Sequence, residues 1–202
     1  TNTTVDIEIL PRPSVTEAEV VNNVAGNVTL DVKVTDAETG EDVTSGNVTV
    51  YAKEENSDEY VPVGNGTLNP DGTVTIVTNI TEIGNYTFDV VFEGNENYTE
   101  SNDDPESEVV GRLADIGATP GNTTLGNSTV IVNLTDDETG EPLVNATVII
   151  TLPDGSEVNG TITPDGTVEV PVDLPVGNYT LPVRYDGNET YNATNTTVDI
   201  EI

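Results

Sequence analysis

The chain has 202 residues, no cysteine, no histidine, and a formal net charge of −32 at pH 7. Its length suits two domains of roughly 100 residues each. Its composition excludes disulfides, thiol nucleophiles and histidine-containing zinc sites, and its charge disfavours nucleic acid and anionic lipid as partners.

The first nine residues of the chain reappear at its other end. Residues 1–9 read TNTTVDIEI, and residues 194–202 read TNTTVDIEI again. An identity of this length indicates a long repeat with a period of 193 residues, from position 1 to position 194. We therefore predict that residues 1–9 are the last strand of a preceding repeat, or a strand donated to a neighbouring copy.

Residues 10–112 have the pattern of a first β domain. Val28, Leu30, Val32 and Val34 alternate with polar residues, which predicts a strand with one buried face. The same alternation recurs in three later segments, each separated from the next by turn residues such as Pro-Asp-Gly. These segments are residues 48–52, 74–76 and 86–92.

Residues 113–202 repeat this frame as a second domain. Its strands are expected around residues 130–134, 148–152, 168–170 and 179–185. Four motifs align between the domains, at offsets that drift from 100 to 93, as expected if loops changed length and strands did not. The aligned pairs are residues 35–41 with 135–141, 70–74 with 164–168, 84–87 with 177–180, and 94–98 with 187–191.

Short strands of this kind cannot bury their apolar faces in a single open sheet. Two sheets packed face to face solve the problem. We predict an all-β chain of two tandem immunoglobulin-like antiparallel β-sandwich domains. Residues 103–106 are interpreted as an insertion before the last strand of the first domain.

The run from Gly177-Asn178-Tyr179-Thr180 to Tyr191-Asn192-Ala193-Thr194 resembles bacterial and archaeal Ig-like repeats. It is similar in particular to the adhesin-like surface proteins of methanogenic archaea. The first domain carries the same frame through Tyr98. The resemblance implies a cell-surface stalk or adhesin array.

Asn-X-Ser/Thr acceptor sites are abundant, and they predict an extracellular glycoprotein. Some, such as Asn47, fit the solvent face of a strand, where Asn and Thr at i and i+2 need no glycan. Others, such as Asn65, Asn188 and Asn192, are interpreted as turn sites, which that explanation does not cover. The acceptor asparagines are Asn2, Asn27, Asn47, Asn65, Asn79, Asn85, Asn97, Asn122, Asn127, Asn133, Asn145, Asn159, Asn178, Asn188, Asn192 and Asn195.

Acidic clusters make calcium a candidate ligand, since this ion binds six to eight oxygens. Asp103, Asp104 and Glu106 are the candidate ligands near the domain junction, and a solvated acidic loop is the alternative interpretation. We predict no catalytic residue and no other cofactor, because carboxylates are spread throughout and the chain has no Trp to form a sugar platform.

These patterns predict a non-enzymatic extracellular structural protein that forms a surface stalk, filament or adhesin array. Its expected partners are neighbouring copies of the same repeat, in the same chain or joined by strand exchange. The alternative is an adhesion module that recognises a host glycan or protein through its loops, such as the acidic segment 54–59, which has no counterpart of equal length in the second domain.

Overall fold

A computed structural model describes residues 2–202, and within that range the chain forms strands and no helix. The chain divides between Val110 and Gly111 into two compact units, here called unit 1 and unit 2. Each unit is an immunoglobulin-like β-sandwich, as the alternating sequence pattern predicted.

Unit 1 consists of two antiparallel sheets. Its strands are β1 Ser14–Asn22, β2 Thr29–Asp36, β3 Asn47–Glu54, β4 Val61–Thr67, β5 Thr73–Val77, β6 Gly84–Phe92, β7 Ser101–Asp103 and β8 Glu106–Val109. One sheet has the order β1-β2-β5, and the other has the order β4-β3-β6-β7, with β8 also paired to β6.

Apolar side chains from both sheets of unit 1 form one core. Leu30 and Val32 on β2 point inward, as do Phe88 and Val90 on β6, and each is at most 2% exposed. Because successive residues of a strand point to opposite faces, the polar residues between them lie in solvent. Burial of these aliphatic and aromatic groups is the main source of stability, at about 25 cal/mol per Å² of apolar surface.

Unit 2 repeats the arrangement around its own core. Its strands are β9 Ala114–Pro120, β10 Thr129–Asp136, β11 Thr147–Thr151, β12 Glu157–Thr161, β13 Thr167–Pro171, β14 Asn178–Tyr185 and β15 Thr194–Glu201. The two sheets have the orders β13-β10-β9 and β12-β11-β14-β15.

Glycines on β4 and β12 let the two sheets of each unit approach closely. A Cβ on Gly66 would lie 2.7 Å from Val74 Cγ2, and one on Gly160 would lie 2.7 Å from Val170 Cγ2. The Gly-Asn-Gly sequence around Asn65 lies within strand β4. The interpretation of Asn65 as a turn site was wrong, because its neighbouring glycines make room for the opposite sheet and do not form a turn.

The last strand is built differently in the two units. In unit 2, β15 pairs with β14 over eight consecutive residues, from Tyr185↔Thr194 to Asn178↔Glu201. In unit 1 the corresponding segment is divided into β7 and β8, and Pro105 lies between them. This break falls at the insertion expected from the sequence.

The boundary between the units falls before the predicted end of the first domain at residue 112. Arg112 belongs to unit 2, because its backbone pairs with Tyr191 and its side chain forms an ion pair with Asp136. Residues 2–9 belong to no strand and are exposed. Thr1, the first residue of the predicted terminal strand, lies outside the described residues.

Candidate functional site

The same three side chains meet where the chain enters each sandwich. In unit 1, Arg12 Nε lies 2.8 Å from Asp36 Oδ2, and the Tyr98 hydroxyl donates to the same oxygen at 3.1 Å. Arg12 also pairs through its backbone with the segment around Tyr98 in a parallel bridge. The three residues are called the entry cluster of unit 1.

The entry cluster of unit 2 consists of Arg112, Asp136 and Tyr191. Arg112 Nε donates to Asp136 Oδ2 at 2.6 Å, and the Tyr191 hydroxyl donates to that oxygen at 2.7 Å. The Arg112 side chain is 13% exposed, whereas that of Arg12 is 44% exposed. The ion pair of unit 2 is therefore much better shielded from water.

The turns that follow β2 in unit 1 and β10 in unit 2 explain why Asp36 and Asp136 point inward. Asp136 Oδ1 accepts hydrogen bonds from the backbone amides of Glu138 and Thr139, at 2.9 and 3.0 Å. Gly140 closes the turn at φ +72°, a value that glycine adopts without strain. Asp36 makes the same two bonds in unit 1. One carboxylate thus caps its own turn and holds the entering arginine.

Hydrogen bonding keeps both aspartates ionised. At Asp136 the bond from Arg112 is the largest influence, and it lowers the pKa of the carboxyl far below its ordinary value although burial opposes this. At Asp36 burial is the largest single influence and raises the pKa, but the hydrogen bonds from Thr39, Glu38 and Tyr98 and the charge of Arg12 together lower it below its ordinary value. Burial and then the bond to Asp136 raise the pKa of Tyr191.

The entry clusters are suited to holding the chain rather than to reacting. Both oxygens of each aspartate already accept hydrogen bonds from the protein. An ionised, fully hydrogen-bonded carboxylate is a poor base, and an arginine paired at this distance does not lose its proton. Each cluster joins the segment before the first strand of its unit, the turn after the second strand and the segment before the last strand.

The candidate calcium ligands lie along the β7–β8 edge of unit 1. Asp103 Oδ2 accepts a hydrogen bond from the backbone amide of Ala18 at 2.8 Å, and Asp104 Oδ1 accepts one from Asn102 at 3.1 Å. Glu106 is exposed on β8. Within residues 2–202 no group of three or more acidic side chains has the arrangement of a metal site. Calcium binding by these residues stays a prediction.

The sequon asparagines lie on the surfaces of both units. All of them are exposed except Asn27, which is half-buried. Asn47, Asn65 and Asn159 lie on the outward faces of β3, β4 and β12. Asn188 lies in the loop between β14 and β15, where its Oδ1 accepts from the backbone amides of Thr190 and Tyr191. Glycosylation of these sites stays a prediction.

The acidic segment 54–59 lies at the end of β3 and in the loop that leads to β4. Lys53 lies over the ring of Tyr60, 5.0 Å from its centroid. An open depression of about 380 Å³ beside this loop is lined in part by Lys53, Ser57, Glu59 and Tyr86. Its lining mixes polar and apolar side chains.

Sequence reasoning did not identify Arg12 and Arg112 as the partners of the turn aspartates. The signal was present, because the chain has only five lysines and arginines and two of them stand 100 positions apart. Asp36 and Asp136 share that offset.

Comparisons with known proteins agree with the fold of unit 2. Residues 129–201 match the family described as carboxypeptidase regulatory-like domain, from the first residue of β10 to the last residue of β15. This match covers less than half of the chain. No curated protein matches the chain.

Two solved structures illustrate the distant similarity. One is the BSP domain of a biofilm associated protein, at 18% identity and a TM-score of 0.31, covering 92% of this chain and 29% of that one. The other is the FN1–FN3 segment of chicken CNTN1, at 10% identity and a TM-score of 0.38, covering 94% of this chain and 66% of that one. The chain thus spans less than a third of the length of the first and just under two thirds of the second.

The described part of the chain, residues 2–202, contains no helix long and apolar enough to cross a membrane.

Proposed function

We propose that this chain is part of a non-enzymatic extracellular protein whose tandem sandwiches form a surface stalk, filament or adhesin array. The function of such a segment is to span distance and carry load. Each unit is a sandwich with its own core, so that units can be added in series without a shared core.

The observation that carries this proposal is the repeated nine-residue sequence TNTTVDIEI. Residues 194–202 complete unit 2 as its edge strand, and residues 1–9 have the same sequence 193 positions earlier. A segment that is the last strand of one sandwich is expected to serve the same purpose wherever it recurs. Residues 1–9 would then be the last strand of a preceding repeat.

The entry clusters support a load-bearing role. A pull on the N-terminal side of a unit acts first on the segment that holds the arginine. In unit 2 that segment is held by the ion pair of Arg112 with Asp136 and by backbone hydrogen bonds of Arg112 with Thr190 and Asn192. Both units contain this ion pair of arginine and aspartate, although their overall sequences have diverged.

The surface suits an extracellular setting. All five basic side chains face a partner: four form ion pairs with carboxylates and Lys53 lies over Tyr60. The remaining acidic residues give a strongly negative surface that keeps a long fibre soluble. Glycans on the exposed sequons would cover the sheet faces and edges against association.

The test is the intact mass of the native protein under denaturing conditions. We expect a chain much heavier than 21.3 kDa that contains the 193-residue period several times. A denatured mass near one repeat would refute the continuous tandem chain. Periodate staining and mass analysis of the same sample would report glycosylation separately.

A binding module is the second candidate, favoured by the depression beside residues 54–59. Deletion of residues 55–58 should abolish adhesion to a glycan or protein surface if this loop binds a ligand, and should leave fibre length unchanged. The matched control is deletion in the β11–β12 turn of unit 2, at residues 153–156, which should leave adhesion intact.

A further inference from the structure

One glycine of unit 2 faces outward from the middle of a strand. Gly117 is the fourth residue of β9, and its neighbour Ile116 points into the core. Its φ is not positive, so the backbone at this position can be adopted by any residue. Gly160, by contrast, faces the core, where Val170 leaves no room for a Cβ. Because a glycine weakens the interior of a strand, Gly117 needs an explanation on the outer face of the sheet.

The atoms that lie over Gly117 belong to Asn133 on β10. The two residues are opposite each other in the β9–β10 ladder. A Cβ on Gly117 would lie 3.1 Å from Asn133 Cγ and 3.2 Å from Asn133 Nδ2. Asn133 is exposed, so its unmodified side chain can turn into solvent to make room for a Cβ. The glycine therefore leaves more space than the asparagine alone requires.

Asn133 is the acceptor of the sequon Asn133-Leu134-Thr135. Leu134 is fully buried, and because side chains alternate along a strand, Asn133 and Thr135 lie on the outer face. In N-glycosylation, Nδ2 loses one proton and bonds to the anomeric carbon of a sugar, whose bond to the phosphate of a glycosyl donor breaks. The first sugar of such a glycan would leave the chain next to the space above Gly117.

The matching face of unit 1 is covered by long charged side chains. Lys33 stands 100 positions before Asn133, and it lies opposite Glu17, which takes the place of Gly117. Unit 2 has neither of these long side chains at the two positions. The next outward residue of β10 is instead Ile131, which is 36% exposed. Unit 2 therefore presents an acceptor asparagine between an uncovered strand backbone and an exposed aliphatic group.

From this arrangement we infer that an N-linked glycan on Asn133 is a structural part of unit 2. Its first sugar ring lies over Gly117 and turns its C–H face towards Ile131. A pyranose ring can remove apolar surface from water in this way while its hydroxyls stay solvated. The inference rests on the extracellular setting of the proposed function and deepens it, because it names one glycan that packs on the protein.

The test compares glycosylated and unmodified forms of the whole chain. The glycosylated form is secreted from a eukaryotic host and trimmed enzymatically to a single N-acetylglucosamine at each occupied asparagine. The unmodified form is produced in a bacterium without N-glycosylation. Peptide mass measures the occupancy of Asn133, and hydrogen exchange measures the stability of unit 2 in each form.

We expect the sugar on Asn133, and we expect it to slow the exchange of the most protected amides of β9 and β10 about fivefold, because it covers apolar surface of Ile131. Asn133→Gln should abolish this difference between the two forms. The matched control is Asn159→Gln, on the outward face of β12, which should retain the difference. Gly117→Thr should remove most of it, because the new side chain fills the place of the sugar ring.

Each comparison is made between two forms of one variant, so that an effect of the substitution on folding itself cancels. Absence of the sugar from Asn133 would overturn the inference. A difference in exchange that persists in Asn133→Gln or in Gly117→Thr would also overturn it, since the glycan would then only cover the surface. None of these results would affect the stalk proposal, which depends on the denatured mass of the native protein.

Discussion

Replacement of Asp136 by Asn is the sharpest test of the entry cluster, because it changes one atom and leaves the shape. The oxygen of the substituted amide could still accept from the backbone amides of Glu138 and Thr139. Its nitrogen would face Arg112 Nε, which now donates to Oδ2 at 2.6 Å. Two donors would then meet in a site where the arginine side chain is 13% exposed.

The expected cost follows from that geometry. Removing one partner of a buried ion pair costs about 3–5 kcal/mol, because the remaining charge stays buried without compensation. Tyr191 can turn its hydroxyl to accept from the new amide, which recovers part of a neutral hydrogen bond. We expect unit 2 to lose about 3 kcal/mol, which corresponds to about a hundredfold larger population of the open state.

Hydrogen exchange followed by mass spectrometry is the suitable assay, because it reports each unit separately. The most protected amides of β10 and β14 should exchange about a hundredfold faster in the Asp136→Asn variant, and those of unit 1 should not change. The matched control is Asp137→Asn, which removes the same charge from an exposed neighbour. Equal effects of the two substitutions, or no effect of either, would refute the account of Asp136 as the residue that holds the segment before β9.

Further predictions concern charge, packing and the repeated nine-residue sequence. The wild-type chain should be more stable than the Asp136→Asn variant, and this advantage should be complete above about pH 4. It should shrink as the pH falls below the pKa that aspartate has in the unfolded chain, because folding lowers the pKa of Asp136; denaturant titrations at several pH values measure this. Raising NaCl from about 0.1 to about 1 M should increase the melting temperature by about 5 °C, since shorter screening lengths weaken the repulsion among acidic residues. Differential scanning calorimetry measures this change, and a melting temperature that stays constant or falls would contradict the prediction. Gly160→Ala should destabilise unit 2 by about 1–3 kcal/mol through overpacking, whereas Gly84→Ala, whose Cβ would meet its nearest neighbour at 3.6 Å, should have little effect on unit 1; chemical denaturation of each variant compares them. Ile200→Ala should cost unit 2 about 2–5 kcal/mol in the same measurement, and Ile7→Ala should cost the isolated chain less than about 0.5 kcal/mol, although the two isoleucines have identical neighbours in sequence.

The strands could be predicted because their signal is local. Val28, Leu30, Val32 and Val34 alternate with polar residues, and all four are buried. A period of two needs no knowledge of the partner strand. The turns could also be predicted from local sequence, because glycine and proline interrupt the alternation of apolar and polar residues.

The entry cluster could not be predicted in this way, because its members are far apart in the chain. Arg112 lies 24 residues before Asp136, and Tyr191 lies 55 residues after it. Their meeting depends on which strands become neighbours. The Gly-Asn-Gly of β4 was misread for a related reason, since its glycines are required by the opposite sheet and not by a local turn.

Pro105 explains why the last strand of unit 1 is divided whereas that of unit 2 is not. Proline has no amide hydrogen to donate, and Pro105 interrupts the edge of unit 1 between β7 and β8. β15 gives unit 2 an unbroken edge strand of eight paired residues. The division in unit 1 could be located from the sequence because the signal of a proline is local, whereas the pairing partner of each half depends on the whole fold.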